Sequence, residues 1–262
     1  MDRRDLMISG LALLMLAAAV PGAGAADWWG KKVPGQPQNF IFGYGSLINT
    51  ASRNSTATKP IDAIPVRVSA SFGYVRAWVD RAKSGFTALG LRKPGAGEQA
   101  MTINGVLYPV EGNDMGLFDQ REAGYKRMEV PRDAIESVSW EQVPTEGKIW
   151  VYVSVGKDGT PGEGLQPPSA DYPLLQSYVD VVIDGALEYG PDFARELIET
   201  TSDWSPYWLN DRELPRRPWV YDKNYATVDK LLEETAPAGP HLKDRLFPEV
   251  YAIRSVAPAA AQ

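Results

Sequence analysis

The 262-residue chain has no cysteine and a single histidine. The first absence excludes disulfides, thiolate metal sites and a cysteine nucleophile. The second makes any Ser-His-Asp triad depend on His241, which stands in a Pro/Gly-flanked stretch, and leaves too few ligands for an ordinary zinc site. Acid/base chemistry therefore falls to carboxylates, tyrosines or lysines. Positive charge is not in excess either: 27 Lys and Arg face 33 Asp and Glu, a net charge of -6. That balance argues against nucleic acid as a partner. No metal site and no cofactor is expected.

Long apolar runs are also missing, apart from Leu11 to Val20 in "MDRRDLMISGLALLMLAAAVPGAGAADWW". That run is short for a bilayer-spanning helix, follows an arginine pair and precedes an A-x-A-like site at Ala23 and Ala25. Residues 1–25 therefore read as a removable signal peptide, with Arg3 and Arg4 resembling a twin-arginine signal. The expectation is an exported protein, periplasmic or extracellular, with no stable membrane anchor once the signal is removed.

What is present is enough apolar material, 44% of residues, for one sizeable core. Strand-like runs occur at "NFIFGY", "IPVRVSA", "FGYVRAWV", "FTALGL", "INGVLYPV", "KRMEVPR" and "KIWVYVSV", separated by Gly, Pro, Asp and Asn clusters. Many short strands at this spacing predict an antiparallel or mixed sheet curling into a barrel rather than repeated βαβ units. A short helix is predicted in "EGNDMGLFDQREAGY", where Met115, Phe118 and Glu122 fall at helical spacing after Asn113 or Asp114. Two more follow in "PLLQSYVDVVIDGALEYG" and "PDFARELIETT", the second opened by Pro191 and Asp192.

The expected fold class is α+β: a small mixed or antiparallel β-barrel with flanking helices and a helical, aromatic-rich C-terminal extension. Its layout is a signal peptide 1–25, a linker 26–38, a core 39–156, an extension 157–250 packed on the core, and a disordered tail 251–262.

The stretch "FGYGSLI", Phe42 to Ile48, ends the first strand with two glycines and a serine. It is not a dinucleotide fingerprint, because Ile48 stands where a third glycine would be and no βαβ unit follows. It lacks the Gly-Lys-Ser/Thr of a P-loop and the G-x-S-x-G of a nucleophile elbow. Two readings stay open on these residues: a turn whose backbone N–H groups and Ser46 hydroxyl bind an anion, or a glycine turn serving only the fold.

A second segment, "LFDQREAGYKRMEV" from Leu117 to Val130, lies about 75 residues on. Together, the two stretches resemble the γ-glutamylcyclotransferase superfamily, especially its ChaC-like, glutathione-acting branch. "VSASFGYVRAWVDRAKSGFTALGL" resembles that family's aromatic-and-arginine strand pair, and "INGVLYPV" the strand before its glutamate. The resemblance spans roughly Asn39 to Tyr152; "TTSDWSPYWLNDRELPRRPWVYDK" is an extension without a counterpart.

The resemblance implies a γ-glutamyl small molecule as substrate, Glu122 as general acid/base, and Tyr44, Gly45, Ser46, Leu47 and Tyr125 as substrate-binding residues. It implies neither a metal nor an enzyme nucleophile, because the substrate's α-amine attacks its own γ-carbonyl to give 5-oxoproline. On its own, Glu122 also reads as a solvated helix-end residue beside Arg121, and Tyr125 as a half-buried packing residue. Arg76, on one strand face with Tyr74 and Trp78, reads equally as a substrate-carboxylate partner or a structural ion pair. Trp204, Tyr207, Trp208, Trp219 and Tyr221 with Arg212, Arg216 and Arg217 form either a lid or a packing segment, and Pro206, Pro215 and Pro218 favour an extended path there. Two other functions remain: a non-catalytic envelope module binding a ligand or protein, and an enzyme of this fold with different amide chemistry.

Overall fold

The computed structural model describes residues 28–215, 217–219 and 224–251. The signal segment 1–25, nearly all of the tail 251–262, Arg216 and Tyr221 lie outside the described residues. In chain order the elements are β1 (Asn39–Gly43), α1 (Thr50–Asn54), β2 (Ile64–Val68), β3 (Val75–Ala82), β4 (Phe86–Arg92) and β5 (Ile103–Pro109). There follow α2 (Asp114–Arg121), β6 (Tyr125–Glu129), β7 (Ile135–Ser137), β8 (Lys148–Ser154), β9 (Leu174–Leu175), α3 (Gln176–Leu187) and α4 (Pro191–Glu199). The last are β10 (Thr201–Ser202), β11 (Trp208–Leu209), α5 (Tyr225–Glu234) and α6 (Gly239–Leu242).

A six-stranded sheet runs in the order β6-β8-β1-β5-β2-β7. Its centre, β1, pairs parallel with β8 and antiparallel with β5, and its Phe40, Ile41 and Phe42 are fully buried. That unbroken apolar run is what a strand covered on both faces requires. A second sheet holds the β3–β4 hairpin with β10 parallel to β3, and a third is the β9–β11 pair.

The expected closed barrel is not formed among the described residues. The first sheet ends openly at β6 and at the three-residue β7. The β3–β4 hairpin, which would have to bridge those edges, instead takes β10, so the ladder bonds of Arg76 and Ala77 go to Thr201 and Ser202. The architecture is an open mixed α+β arrangement.

α3 and α4 supply Val179, Val182, Ile183, Leu197 and Ile198 to the same buried cluster as β1 and β5. The aromatic segment after α4 divides. Trp204 and Trp208 are buried, with ring centroids 5.4 Å apart and Trp204 5.1 Å from Trp78; each such burial stabilises by about 1.5–3 kcal/mol. Tyr207 and Trp219 are exposed. Arg212 is structural: it donates to Asp180 of α3 at 2.7 and 2.8 Å and to Asp229 of α5 at 2.9 Å, tying those helices together. No helix among the described residues is long and apolar enough to cross a membrane.

Candidate active site

β1 delivers the chain into the Tyr44–Leu47 loop, where Gly43 is needed for space rather than for an unusual backbone angle. A Cβ on Gly43 would lie 3.0 Å from Leu47 Cβ and 3.3 Å from Tyr108 Cε1. One on Gly45 would meet only ordinary contacts, Leu89 Cβ at 3.5 Å and the Tyr178 hydroxyl at 3.7 Å, and would project over a small hollow.

The loop is held from behind by two arginines. Buried Arg53 of α1 donates to the Leu47 and Ile48 carbonyls at 3.0 and 2.9 Å. Arg76 is also fully buried and donates to the Asn104 carbonyl and side chain, the Leu197 carbonyl and the Thr200 and Thr201 hydroxyls, with a long 3.4 Å contact to the Tyr44 carbonyl. Its partners are carbonyl, amide and hydroxyl oxygens, so Arg76 is a clamp between β3, β5 and α4 rather than half of an ion pair. The Tyr44 side chain is likewise committed: its hydroxyl donates to the Tyr152 carbonyl at 2.7 Å.

The loop's front is different. The Ile48 amide donates to the Gly45 carbonyl at 2.9 Å, closing the turn, while among the described residues no protein acceptor takes the amide hydrogens of Gly45, Ser46 and Leu47. The residues around Gly43–Leu47 enclose a hollow of about 30 Å³ whose other walls are Leu89, Glu122, Tyr125, Tyr152 and Tyr178. That is room for about two water-sized groups, or the two oxygens of one carboxylate.

Glu122 reaches this hollow because α2 stops just before it. Phe118 of α2 is buried against Tyr108, with centroids 5.4 Å apart, and Asp114 receives the Thr58 amide at 3.3 Å. Asn113 occupies the N-cap position without a side-chain cap bond. Glu122 is the C-cap residue: its amide donates to Phe118 and its carbonyl accepts from Tyr125, both at 2.9 Å. Its side chain is only 15% exposed and pairs with Arg121 at 3.1 Å. Burial pushes its carboxyl up from the usual range, helped by the like charge of Asp80 and opposed by Arg121 and Arg217. Its place at the negative end of α2 acts in the same direction as the burial.

The hollow opens onto a cleft of about 720 Å³ that is also lined by Ser46, Glu122 and Tyr125. Tyr125 donates to the Leu89 carbonyl at 3.1 Å, and burial holds its hydroxyl, like that of Tyr44, well above the usual tyrosine range. Tyr178 is pushed up to about 12 by the same cause. All three are therefore neutral hydroxyls near pH 7. The proton-exchanging groups left at this place are carboxylates.

Neither a protein-family model nor a curated protein matches the chain. Its backbone is similar to several solved structures at low identity. An uncharacterized human protein is 15% identical with a TM-score of 0.43, over 63% of this chain and 90% of that one. A gamma-glutamyl cyclotransferase gives 14% and 0.43 over the same shares. A yeast gamma-glutamyl cyclotransferase specific to glutathione gives 13% and 0.31, over 78% of this chain and 94% of that one. At such distances the chemistry has to be read from the side chains themselves.

Those side chains include one that sequence reasoning passed over. Asp80, near the end of β3, lines the same cleft as Glu122. It is aimed there by a β-bulge: Trp78 pairs with Leu89 and Asp80 with Ala88, so Val79 is an extra residue in the ladder. Burial pushes the Asp80 carboxyl up, opposed by the neighbouring Tyr125 and Ser154 hydroxyls. The only signal in the sequence is a carboxylate continuing the even-numbered face of Arg76 and Trp78.

Proposed function

We propose that the protein is a γ-glutamylcyclotransferase that converts a γ-glutamyl peptide or amine to 5-oxoproline and the free amine. The observation that carries this reading is the shared hollow: a shielded carboxylate with raised proton affinity, Glu122, faces the unpaired amides of the Tyr44–Leu47 loop. Together with the motif resemblance, that pairing suits a substrate that cyclises onto itself.

The glutamyl head places its α-carboxylate or its γ-carbonyl oxygen on the loop amides, with the Ser46 hydroxyl alongside. Glu122 removes a proton from the α-ammonium. The freed amine attacks the γ-carbonyl carbon, forming the ring C–N bond. Negative charge gathers on the carbonyl oxygen, where fixed donors in a dry pocket are effective. As the original amide C–N bond breaks, Glu122 returns the proton to the leaving nitrogen, and the second proton shed by the ring nitrogen departs with the released amine as its ammonium. No other reactant is consumed. Holding the chain in its cyclising conformation supplies much of the acceleration. A raised carboxyl suits a group that must both take and give a proton near neutrality. Asp80, which lines the same cleft, offers a second negative group for the substrate ammonium.

The test is 5-oxoproline release from glutathione and other γ-glutamyl donors. Glu122→Gln should lower kcat by at least about 100-fold, the usual loss on removing a positioned acid/base group. Full activity in that variant removes Glu122 from the reaction, and no product from any donor leaves a ligand-binding module instead.

A further inference from the structure

The cleft beyond the hollow carries a charge opposite to that of the molecule. Its lining holds five basic side chains, Arg81, Lys83, Arg121, Lys157 and Arg217, against two carboxylates, Asp80 and Glu122, in a chain whose net charge is -6. The basic groups come from separate parts of the fold: Arg81 from the end of β3, Lys83 from the β3–β4 turn, Lys157 from the turn after β8, and Arg217 from the C-terminal segment. Their convergence is a property of the folded cleft and not of one basic stretch.

They are not equivalent. Arg121 is occupied with Glu122, Ser46, Ser52 and Thr56, and Arg81 lies over the Tyr172 ring at 4.7 Å. Lys83 and Lys157 are exposed, and neither makes a hydrogen bond or ion pair within the described residues. Size points the same way as charge. A 30 Å³ hollow takes one end of a small molecule, whereas 720 Å³ lies within the roughly 300–1,000 Å³ of sites that enclose a whole ligand. The cleft therefore has room for a leaving amine larger than a simple alkylamine.

From this juxtaposition we infer that the physiological substrate is a γ-glutamyl peptide whose leaving half is itself acidic, with its extra carboxylates gripped by Lys83 and Lys157. The inference rests on the cyclotransferase reading for the glutamyl head and adds the chemistry of the tail. Exposed ion pairs of this kind are individually weak and screened by salt, so they set preference among donors.

The experiment compares three donors: γ-glutamyl-alanine amide, with a neutral tail; γ-glutamyl-alanine, with one tail carboxylate; and γ-glutamyl-glutamate, with two. Dissociation constants are measured by calorimetry on Glu122→Gln, and kcat/KM by 5-oxoproline release on the wild type. Each added carboxylate should tighten binding by about two- to fivefold, the gain should shrink in 0.5 M NaCl, and Lys83→Ala/Lys157→Ala should bring the three donors within about twofold of one another. Equal affinities for the three donors with both lysines in place, or a preference that survives the double lysine variant, would overturn the inference. Binding that favours acidic tails without 5-oxoproline from any donor would sink the cyclisation reading and leave the acidic-tail site standing.

Discussion

Arg121 donates to the Ser46 hydroxyl at 3.1 Å while its Nε lies 3.1 Å from the Glu122 carboxylate. One guanidinium thus sets both the acid and the loop it faces. Its remaining bonds, to the Ser52 carbonyl and hydroxyl and to Thr56, anchor it to α1 and the residues just after it. Replacing it with methionine frees Ser46 and removes the positive charge that holds Glu122 down. In Arg121→Met the acid limb of the kcat/KM profile should move to higher pH, with kcat reduced; an unmoved limb would show that the ion pair does not govern the Glu122 proton.

Asp80→Asn should do the reverse. The like charge of Asp80 is one of the causes that raise Glu122, so its removal makes Glu122 easier to ionise, and the acid limb should shift to lower pH. KM should rise as well, since the ammonium loses a counter-charge. A pH–rate profile with the limb unmoved would place Asp80 too far from Glu122 to matter.

Glu122→Gln should be more stable than the parent at neutral pH. A carboxyl whose folded value is raised holds its proton in the native state after the unfolded chain has released it, so stability falls as pH rises above the ordinary 4.5. The neutral amide removes that loss. The difference in Tm between variant and parent should be positive at pH 7 and vanish below about pH 4. A variant less stable than the parent at pH 7 would contradict the shielding of Glu122.

Arg76→Met should cost at least about 3 kcal/mol, because it takes the guanidinium donor away from the buried Asn104 side-chain oxygen and the Thr201 hydroxyl. The urea midpoint should fall at an unchanged slope.

The two loop glycines should separate folding from chemistry. Gly43→Ala forces a methyl into Leu47 and Tyr108 and should destabilise by about 1–3 kcal/mol. Gly45→Ala has room for its methyl but fills part of the 30 Å³ hollow. It should keep its Tm within about 2 °C while kcat/KM drops at least about tenfold. Equal activity in Gly45→Ala would mean that the hollow takes no part in binding.

Local patterning made much of this structure legible. β1, β2, β4, β5 and β8, and the helices α2, α3 and α4, fall where apolar alternation, glycine turns and Pro191 place them, because each buries its own periodic face. The position of Glu122 beside the Tyr44–Leu47 loop was also expected, from two motifs in order. What escaped was non-local. Whether the sheet closes depends on where the β3–β4 hairpin finds its partner, and the two residues of β10 carry no strand signal of their own. Arg76 looked like an ionic group until its partners, spread over β5 and α4, were in place. Asp80 was hidden because period-two counting assumes a regular ladder, and the ladder is interrupted at Val79.

That interruption has a bearing on engineering. A shortened hairpin lacking Val79 would restore an uninterrupted ladder, and any redesign scored on regularity or thermostability alone would favour it. It would leave Asp80 opposite Ala88 but remove Val79, itself a cleft-lining side chain, together with the local twist that the bulge gives the strand. The irregular residue is thus the position at which a more robust scaffold and a working cleft are incompatible.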